Sequence, residues 1–112
     1  MKDKSQVIER LRIGLLLRDS SGRLTYEVDK FPCEFYSSIK KELSVHFKLQ
    51  PQRPTIEGLD VYFQTFTSGL NHIGIEWDNW SGLTVVAENK RAEPLIRKIG
   101  DYLEQRFCEI ND

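Results

Sequence analysis

Two acidic residues, Glu76 and Asp78, stand two positions apart in the stretch GIEWDNWSGLTVV, which spans residues 74–86. On a β-strand this spacing places both carboxylates on one face, roughly 6 to 7 Å apart. Such a pair can bind a divalent cation or serve as a general acid and base. Neither a third carboxylate nor a histidine stands at ligand spacing, so the pattern favours a solvated acidic face over a metal site.

The chain carries none of the common motifs of catalysis or cofactor binding. GxSxG, the P-loop, GxGxxG, HExxH and the EF-hand loop are all absent from the sequence. His72 precedes Glu76 by four residues, which on a strand separates the two side chains by about 13 Å. Cys33 and Cys108 are far apart and have no CxxC or Cys/His spacing. The sequence therefore predicts no catalytic residue, no cofactor and no metal.

The two tryptophans occupy different kinds of position. Trp77 has the same parity as Ile73 and Ile75, which predicts that it packs in the core. Trp80 lies in the turn itself, where no strand face requires its burial. Two interpretations remain open for it: a lid that folds back over the sheet edge, which is slightly favoured, or an anchor for a partner protein.

Composition and charge limit the function classes. The 112 residues, 39% hydrophobic and 29% charged, fit one soluble globular domain that covers positions 1–112. A net charge of −1 without a Lys/Arg stripe argues against direct nucleic-acid binding. No apolar run approaches the ~18 residues of a membrane helix, so no membrane partner is expected. The first six residues lack the apolar region of a secretion signal, which predicts a cytoplasmic protein.

The charges are unevenly distributed. Residues 1–50 hold ten basic and seven acidic side chains, and residues 90–112 hold five of each. Residues 51–89 hold one basic side chain, Arg53, against five acids: Glu57, Asp60, Glu76, Asp78 and Glu88. The acidic middle third contains both tryptophans. Acids beside tryptophans at a turn form an electronegative, aromatic-edged patch that can dock a basic protein.

Alternation and turn residues predict the elements of the first half. Apolar odd positions over residues 11–17 predict a strand, and a helix over 6–18 is the second choice because Gly14 interrupts it. DSSG at residues 19–22 predicts a turn into a second strand. A helix follows from a four-residue spacing of apolar side chains, namely Phe35, Ile39, Leu43 and Phe47. The proline-containing segment at residues 48–58 has no period, which predicts a loop.

The second half predicts a three-stranded meander over residues 59–89 and a closing amphipathic helix. The element order β-β-α-β-β-β-α indicates an α+β fold, with a single antiparallel sheet of about five strands and two helices on one face. The other face is left open, and we expect it to be a contact surface. Its expected occupants are Tyr62, Gln64, Phe66, His72, Glu76 and Asp78.

The stretch GIEWDNWSGLTVVAENKRAEPLIRKIGDYLEQ passes from a strand through a W-D-x-W-x-G turn into a second strand and the closing helix. In size, element order and this turn, residues 59–107 resemble small immunity proteins of bacterial polymorphic toxin and contact-dependent growth inhibition systems. The resemblance implies a compact cytosolic protein that binds one cognate toxin, often a basic nuclease, and covers its active site. The expected partner-binding residues are Asp60, Tyr62, Glu76, Asp78 and Trp80.

Two other function classes remain open on the sequence. A small adaptor domain that pairs through its exposed sheet in a homodimer is the second hypothesis. An enzyme ranks third, with Glu76 and Asp78 as its candidate catalytic pair.

Overall fold

A computed structural model describes residues 6–111, with side chains described as far as Cys108. The first five residues, which belong to the segment used to argue against a secretion signal, lie outside that range. Within it the chain forms eight strands and two α-helices, α1 (Tyr36–Phe47) and α2 (Glu93–Asn111), each preceded by a 3₁₀ turn. The strands are β1 (Gln6–Arg10), β2 (Leu15–Arg18), β3 (Leu24–Val28), β4 (Gln50–Pro51), β5 (Ile56–Glu57), β6 (Val61–Ser68), β7 (Asn71–Asp78) and β8 (Gly82–Ala87).

All the strands belong to one antiparallel sheet with the order β1-β2-β3-β8-β7-β6-β4, and β5 also pairs with β6. The prediction of an α+β fold with one antiparallel sheet and two helices is confirmed. The predicted count of five strands is wrong, because the described residues form eight in the order β-β-β-α-β-β-β-β-β-α. Within residues 6–111, no helix is both long and apolar enough to cross a membrane.

The strand predicted over residues 11–17 is in fact a turn followed by β2. The Leu11 N–H donates to the Gly14 carbonyl at 2.9 Å, which reverses the chain between β1 and β2. Gly14 is required here, since a Cβ atom would lie 2.4 Å from the Glu27 carbonyl oxygen. Leu16 and Leu17 are successive residues of β2 and therefore point to opposite faces of the sheet, yet both are buried. The expected alternation of buried and exposed side chains fails here.

The segment predicted as a loop at residues 48–58 contains β4 and β5, two residues each. Both pair with β6, in the registers Gln50↔Thr67 and Ile56↔Phe63. The side chain of Gln64 on β6 holds the intervening chain by donating to the Arg53 carbonyl at 2.7 Å. Strands of two residues leave too little periodicity to be recognised in a sequence.

The other predicted elements are confirmed. Gly22 closes the DSSG turn with a left-handed φ of 82°, and its N–H donates to the Asp19 carbonyl at 2.8 Å. Strands β6, β7 and β8 form the meander expected at residues 59–89. The stripe expected on the closing helix is buried at Ile96, Ile99, Leu103 and Phe107. On the first helix, Phe35 departs from the expected stripe, because it lies before α1 and is 52% exposed.

Both helices contribute to a single hydrophobic core on one face of the sheet. Its fully buried centre comprises Leu24, Tyr26, Leu43, Ile73, Ile75, Leu83, Val85, Ile96, Ile99 and Leu103. Leu43 comes from α1 and the last three residues from α2, while the others come from the three strands β3, β7 and β8. The opposite face of the sheet therefore carries no helix.

The side chain of Glu104 on α2 joins the helix to the N-terminal hairpin. It accepts hydrogen bonds from the backbone N–H groups of Ile13 and Gly14, at 2.9 and 2.7 Å, and from the Tyr26 hydroxyl at 2.8 Å. Burial, and then the bond to Glu104, raise the pKa of Tyr26 above its ordinary value, so this hydroxyl remains a donor. One carboxyl group thereby satisfies two turn amides and a buried phenol.

Replacing Glu104 with alanine removes all three acceptor contacts. Because the buried Tyr26 hydroxyl and the turn amides then lose their partner, we expect Glu104→Ala to lower the free energy of unfolding by roughly 2–4 kcal/mol. Urea denaturation checks this, with Asp101→Ala as the matched control at an exposed position of the same helix. Equal stability of the two variants would contradict the role given to Glu104.

Candidate functional site

The turn between β7 and β8 presents Trp80 to solvent in a fixed backbone. The Asp78 carboxylate accepts hydrogen bonds from the N–H groups of Trp80 and Ser81, at 2.8 and 2.5 Å. Gly82 follows with a left-handed φ of 75°, and a Cβ atom there would lie 2.2 Å from the Val28 carbonyl oxygen. The Trp80 side chain is 73% exposed, so the slightly favoured interpretation as a lid on the core is wrong.

Apolar and acidic residues of the neighbouring loop lie at the same end of the sheet. The Asn79 N–H donates to the Asp60 carbonyl at 3.1 Å, and Val61 is the register partner of Asp78. Leu59 is fully exposed and Val61 is 40% exposed. We call this group the Trp80 surface: Leu59, Asp60, Val61, Asp78 and Trp80. Three of the expected partner-binding residues therefore lie together here.

Tyr62, a fourth expected partner-binding residue, lies on the face of the sheet that the helices cover. It stands directly opposite Trp77 in the β6–β7 register, and its ring stacks on Tyr36 of α1 with centroids 5.4 Å apart. Gln64 and Phe66 follow Tyr62 at the same parity and face the helices too. The expectation that these three residues share the open face with Glu76 is wrong, because the register pairs Glu76 with Phe63.

Trp77 packs against the core, as its parity with Ile73 and Ile75 predicts. Its indole N–H donates to the Phe31 carbonyl at 2.6 Å, which fixes the chain between β3 and α1. The two tryptophans thus have different roles. Trp77 packs on the covered face and fixes the chain near Phe31, and Trp80 projects from the turn into solvent.

Glu76, the fifth expected partner-binding residue, lies on the open face in a polar cleft of about 170 Å³. Asp19, Glu27 and Asp78 also line the cleft, and Glu27 is 93% buried, since 7% of it is exposed. Arg23 also lines the cleft. Its guanidinium donates to Asp19 at 2.9 Å and to Glu88 at 2.7 Å. The open face near β7 therefore carries an excess of carboxylates.

Burial and the nearby carboxyl group of Glu88 determine the pKa of Glu76. A Cβ atom at Gly74 would lie 3.3 Å from Glu76 Oε2 and 3.2 Å from Glu88 Oε1, so the bare glycine leaves room for both carboxyl groups. Burial and then the charge of Glu88 raise the pKa of Glu76 from 4.5 to about 7, against the opposing effect of Arg23. Glu76 thus exchanges a proton near neutral pH.

Sequence reasoning missed several contributors to these surfaces. Leu59 is the first residue of the predicted meander, but β6 begins two residues later and leaves Leu59 in solvent. The preceding Gly58 was the available signal for a turn there. The contact of Arg23 with Glu88 joins residues 65 apart in sequence, and no local pattern could have indicated it.

Among the described residues, no three His, Cys, Asp or Glu side chains are placed to hold a metal ion. His72 pairs with Thr67 near the start of β7, at the opposite end of that strand from Asp78. The chemistry that the site does provide is an exposed indole, adjacent apolar side chains, and carboxylates with one proton that exchanges near neutrality.

The chain matches no family model, no curated protein and no solved structure. The likeness to immunity proteins therefore rests on the sequence of residues 59–107. The interpretation of the site rests on its own geometry.

Replacing Glu76 with glutamine tests whether the raised pKa of Glu76 makes stability depend on pH. The folded protein holds the Glu76 proton more tightly than the unfolded chain, so this contribution to stability is complete below about pH 4.5 and is lost as the pH rises to about 7. We expect Glu76→Gln to flatten that decline and to stabilise the protein by roughly 1–3 kcal/mol above neutral pH.

Urea unfolding across this pH range is the measurement, with Glu9→Gln at an exposed position of β1 as a control for the loss of one negative charge. A Glu76→Gln variant that retains the wild-type decline would show that Glu76 is not the group responsible.

Proposed function

We propose that this chain is a non-catalytic immunity protein of the cytoplasm, which binds a cognate, basic, nuclease-type toxin and neutralises it by covering its active site. The observation that carries the proposal is the exposed Trp80 indole on a hydrogen-bonded turn, flanked by exposed apolar side chains and carboxylates. An inhibitor that acts by occlusion requires a rigid contact surface and no reactive group.

The turn geometry favours Trp80 as an anchor. Because the backbone of the turn is already fixed by hydrogen bonds to Asp78, it loses little conformational freedom on binding, so more of the burial of Trp80 contributes to affinity. Tryptophan is also enriched among the residues that dominate binding energy. Leu59 and Val61 extend the apolar area around it, and Asp60 and Asp78 border that area with negative charge. Such a centre with a polar rim is typical of protein interfaces.

The acidic cleft supports a basic partner. Among the described residues, Asp19, Glu27, Glu76 and Asp78 line it together with one cation, Arg23, which engages Asp19 and Glu88. The resulting negative potential attracts the Lys and Arg side chains that a nuclease uses to hold nucleic acid. Association is accelerated by such attraction, and the inhibitor then blocks entry of the nucleic acid.

A self-pairing adaptor domain is the second candidate function, and the edge strand β1 favours it. All five residues of β1 are exposed, including Val7 and Ile8, and β2 pairs with only one side of the strand. Within the part of the chain that the structure describes, no strand pairs with the outer edge of β1, and such an edge can pair with the same edge of a second copy. This hypothesis predicts a mass that rises with concentration for the protein alone.

Replacing Trp80 with alanine tests the proposed anchor. We expect Trp80→Ala to weaken binding of the toxin domain encoded beside this gene by about 2–4 kcal/mol, or roughly 30- to 1000-fold. The free energy of unfolding should change by less than about 0.5 kcal/mol, because the indole is exposed. Isothermal titration calorimetry and urea unfolding give the two quantities.

Leu70→Ala is the matched control, since Leu70 is 65% exposed in the turn at the opposite end of the β6–β7 hairpin. The control should bind within about threefold of the wild type. Equal losses in the two variants, or recovery of only this protein from its native cytosol when it is used as bait, would overturn the proposal in favour of the adaptor.

A further inference from the structure

A row of exposed apolar side chains continues from the Trp80 surface along the outer border of the open face. Val61 and Phe63 are two residues apart on β6 and so point to one face, and Phe63 is the register partner of Ile56 on β5. Ile56 is 58% exposed, Val61 is 40% exposed and Phe63 is partly exposed. We call the whole group the β6 strip: Ile56, Leu59, Val61, Phe63 and Trp80.

A row of acids runs beside the β6 strip on the next strand. The register places Asp78 opposite Val61 and Glu76 opposite Phe63. Side chains directly opposite in an antiparallel pair have Cβ atoms about 4.5–5.5 Å apart. Each of the two carboxyl groups therefore borders an apolar side chain of the strip, and a ligand that covers the apolar row also meets the acidic one.

The charge of this part of the sheet is negative. Residues 54–89, which contain β5 to β8, include no lysine or arginine. The guanidinium of Arg23, which lines the neighbouring acidic cleft, donates to Asp19 and Glu88. A ligand with positive charge therefore complements the row of acids, and the attraction strengthens when the ligand excludes water.

The shape of the surface indicates the secondary structure of the ligand. β4 and β5 pair with the outer border of β6, so the strip presents the side chains of a sheet face. A strand laid on such a face would leave its own N–H and C=O groups unpaired, whereas a helix pairs them internally. From Leu59 to Phe63 the chain covers about 13 Å by strand rise, which matches a little over two helical turns.

We infer that the β6 strip, with the acids beside it, is the docking site for one amphipathic helix of the toxin whose apolar stripe is flanked by lysine or arginine. Apolar side chains at positions i, i+3, i+4 and i+7 of that helix cover the strip. Its cations meet Glu76 and Asp78. The inference rests on the proposed function and adds to it the kind of segment that the toxin presents, together with the second border of the contact at Ile56 and Phe63.

The probe is a synthetic peptide of about 18 residues, long enough to be helical alone, with a leucine stripe flanked by lysine and alanine elsewhere. A second peptide carries glutamate in place of each lysine. We expect the lysine helix to bind the full chain at one site, at least about fivefold tighter than the glutamate helix, with an affinity that falls as salt is raised. Burial of the Trp80 indole should shift tryptophan emission to shorter wavelength, and Trp80→Phe should remove that shift.

Ile56→Lys tests the β5 border of the strip. Its matched control is Val45→Lys, which adds the same charge at a 73% exposed apolar position of α1, on the other side of the sheet. Ile56→Lys should weaken the lysine helix by at least about tenfold, whereas Val45→Lys should bind within about twofold of the wild type. Leu59→Lys, at a fully exposed position before β6, should act like Ile56→Lys and does not disturb β5.

Three results would overturn the inference. The first is equal affinity for the lysine helix in Leu59→Lys and Val45→Lys, and the second is the lack of saturable binding by the wild type. The third is a mass of the protein alone that rises with concentration and returns to that of a monomer in Ile56→Lys, because a second copy would then occupy the strip.

The toxin domain separates this inference from the proposed function. If Trp80→Ala weakens binding of the toxin and Ile56→Lys does not, the proposed function stands and the docking of a helix on the strip is wrong. If the lysine helix binds as expected but no toxin is recovered from the native cytosol, the strip still selects a basic amphipathic helix, and the assignment of that helix to a toxin is wrong.

Discussion

The pairing register of β6, β7 and β8 determines which side chains the helices cover. Residues directly opposite in an antiparallel pair share a face of the sheet, so Tyr62, Trp77 and Leu83 form one row beneath α1 and α2. Phe63 and Glu76 form the adjacent row on the other face. The register thereby places Tyr62 and Trp77 on the covered face, and Glu76 on the open face beside Phe63. Trp80 lies in the turn beyond both rows, where neither face buries it.

Arg23 partly balances the carboxylates of the uncovered face. Its guanidinium donates to Asp19 and Glu88, and its positive charge opposes the rise in the pKa of Glu76. Burial, and then the excess of negative charge contributed first by Glu88, raise the pKa of Glu76 to about 7. A partner that brings positive charge to this face would relieve the same imbalance, so binding and loss of the Glu76 proton are thermodynamically linked.

Strong local patterns in the sequence were sufficient to predict α2, the meander and the β2–β3 hairpin. Parity within one strand correctly placed Trp77, but parity does not relate one strand to the next. That relation depends on turn length, and for this reason Tyr62 was placed on the face of Glu76. Of the strand expected over residues 11–17, only residues 15–17 belong to β2. Gly14 and Glu104 hold a turn before them through a contact across 90 residues.

The two edges of the sheet differ in how they can meet another molecule. At one edge, β4 and β5 occupy only parts of β6, and Pro51 removes a backbone donor from that border. At the other edge, β1 is a continuous five-residue strand. Growth of a fibril by edge-to-edge stacking needs two compatible borders on every subunit, and here one is blunted. Any association through β1 therefore closes after a single step, which limits such assembly to a pair.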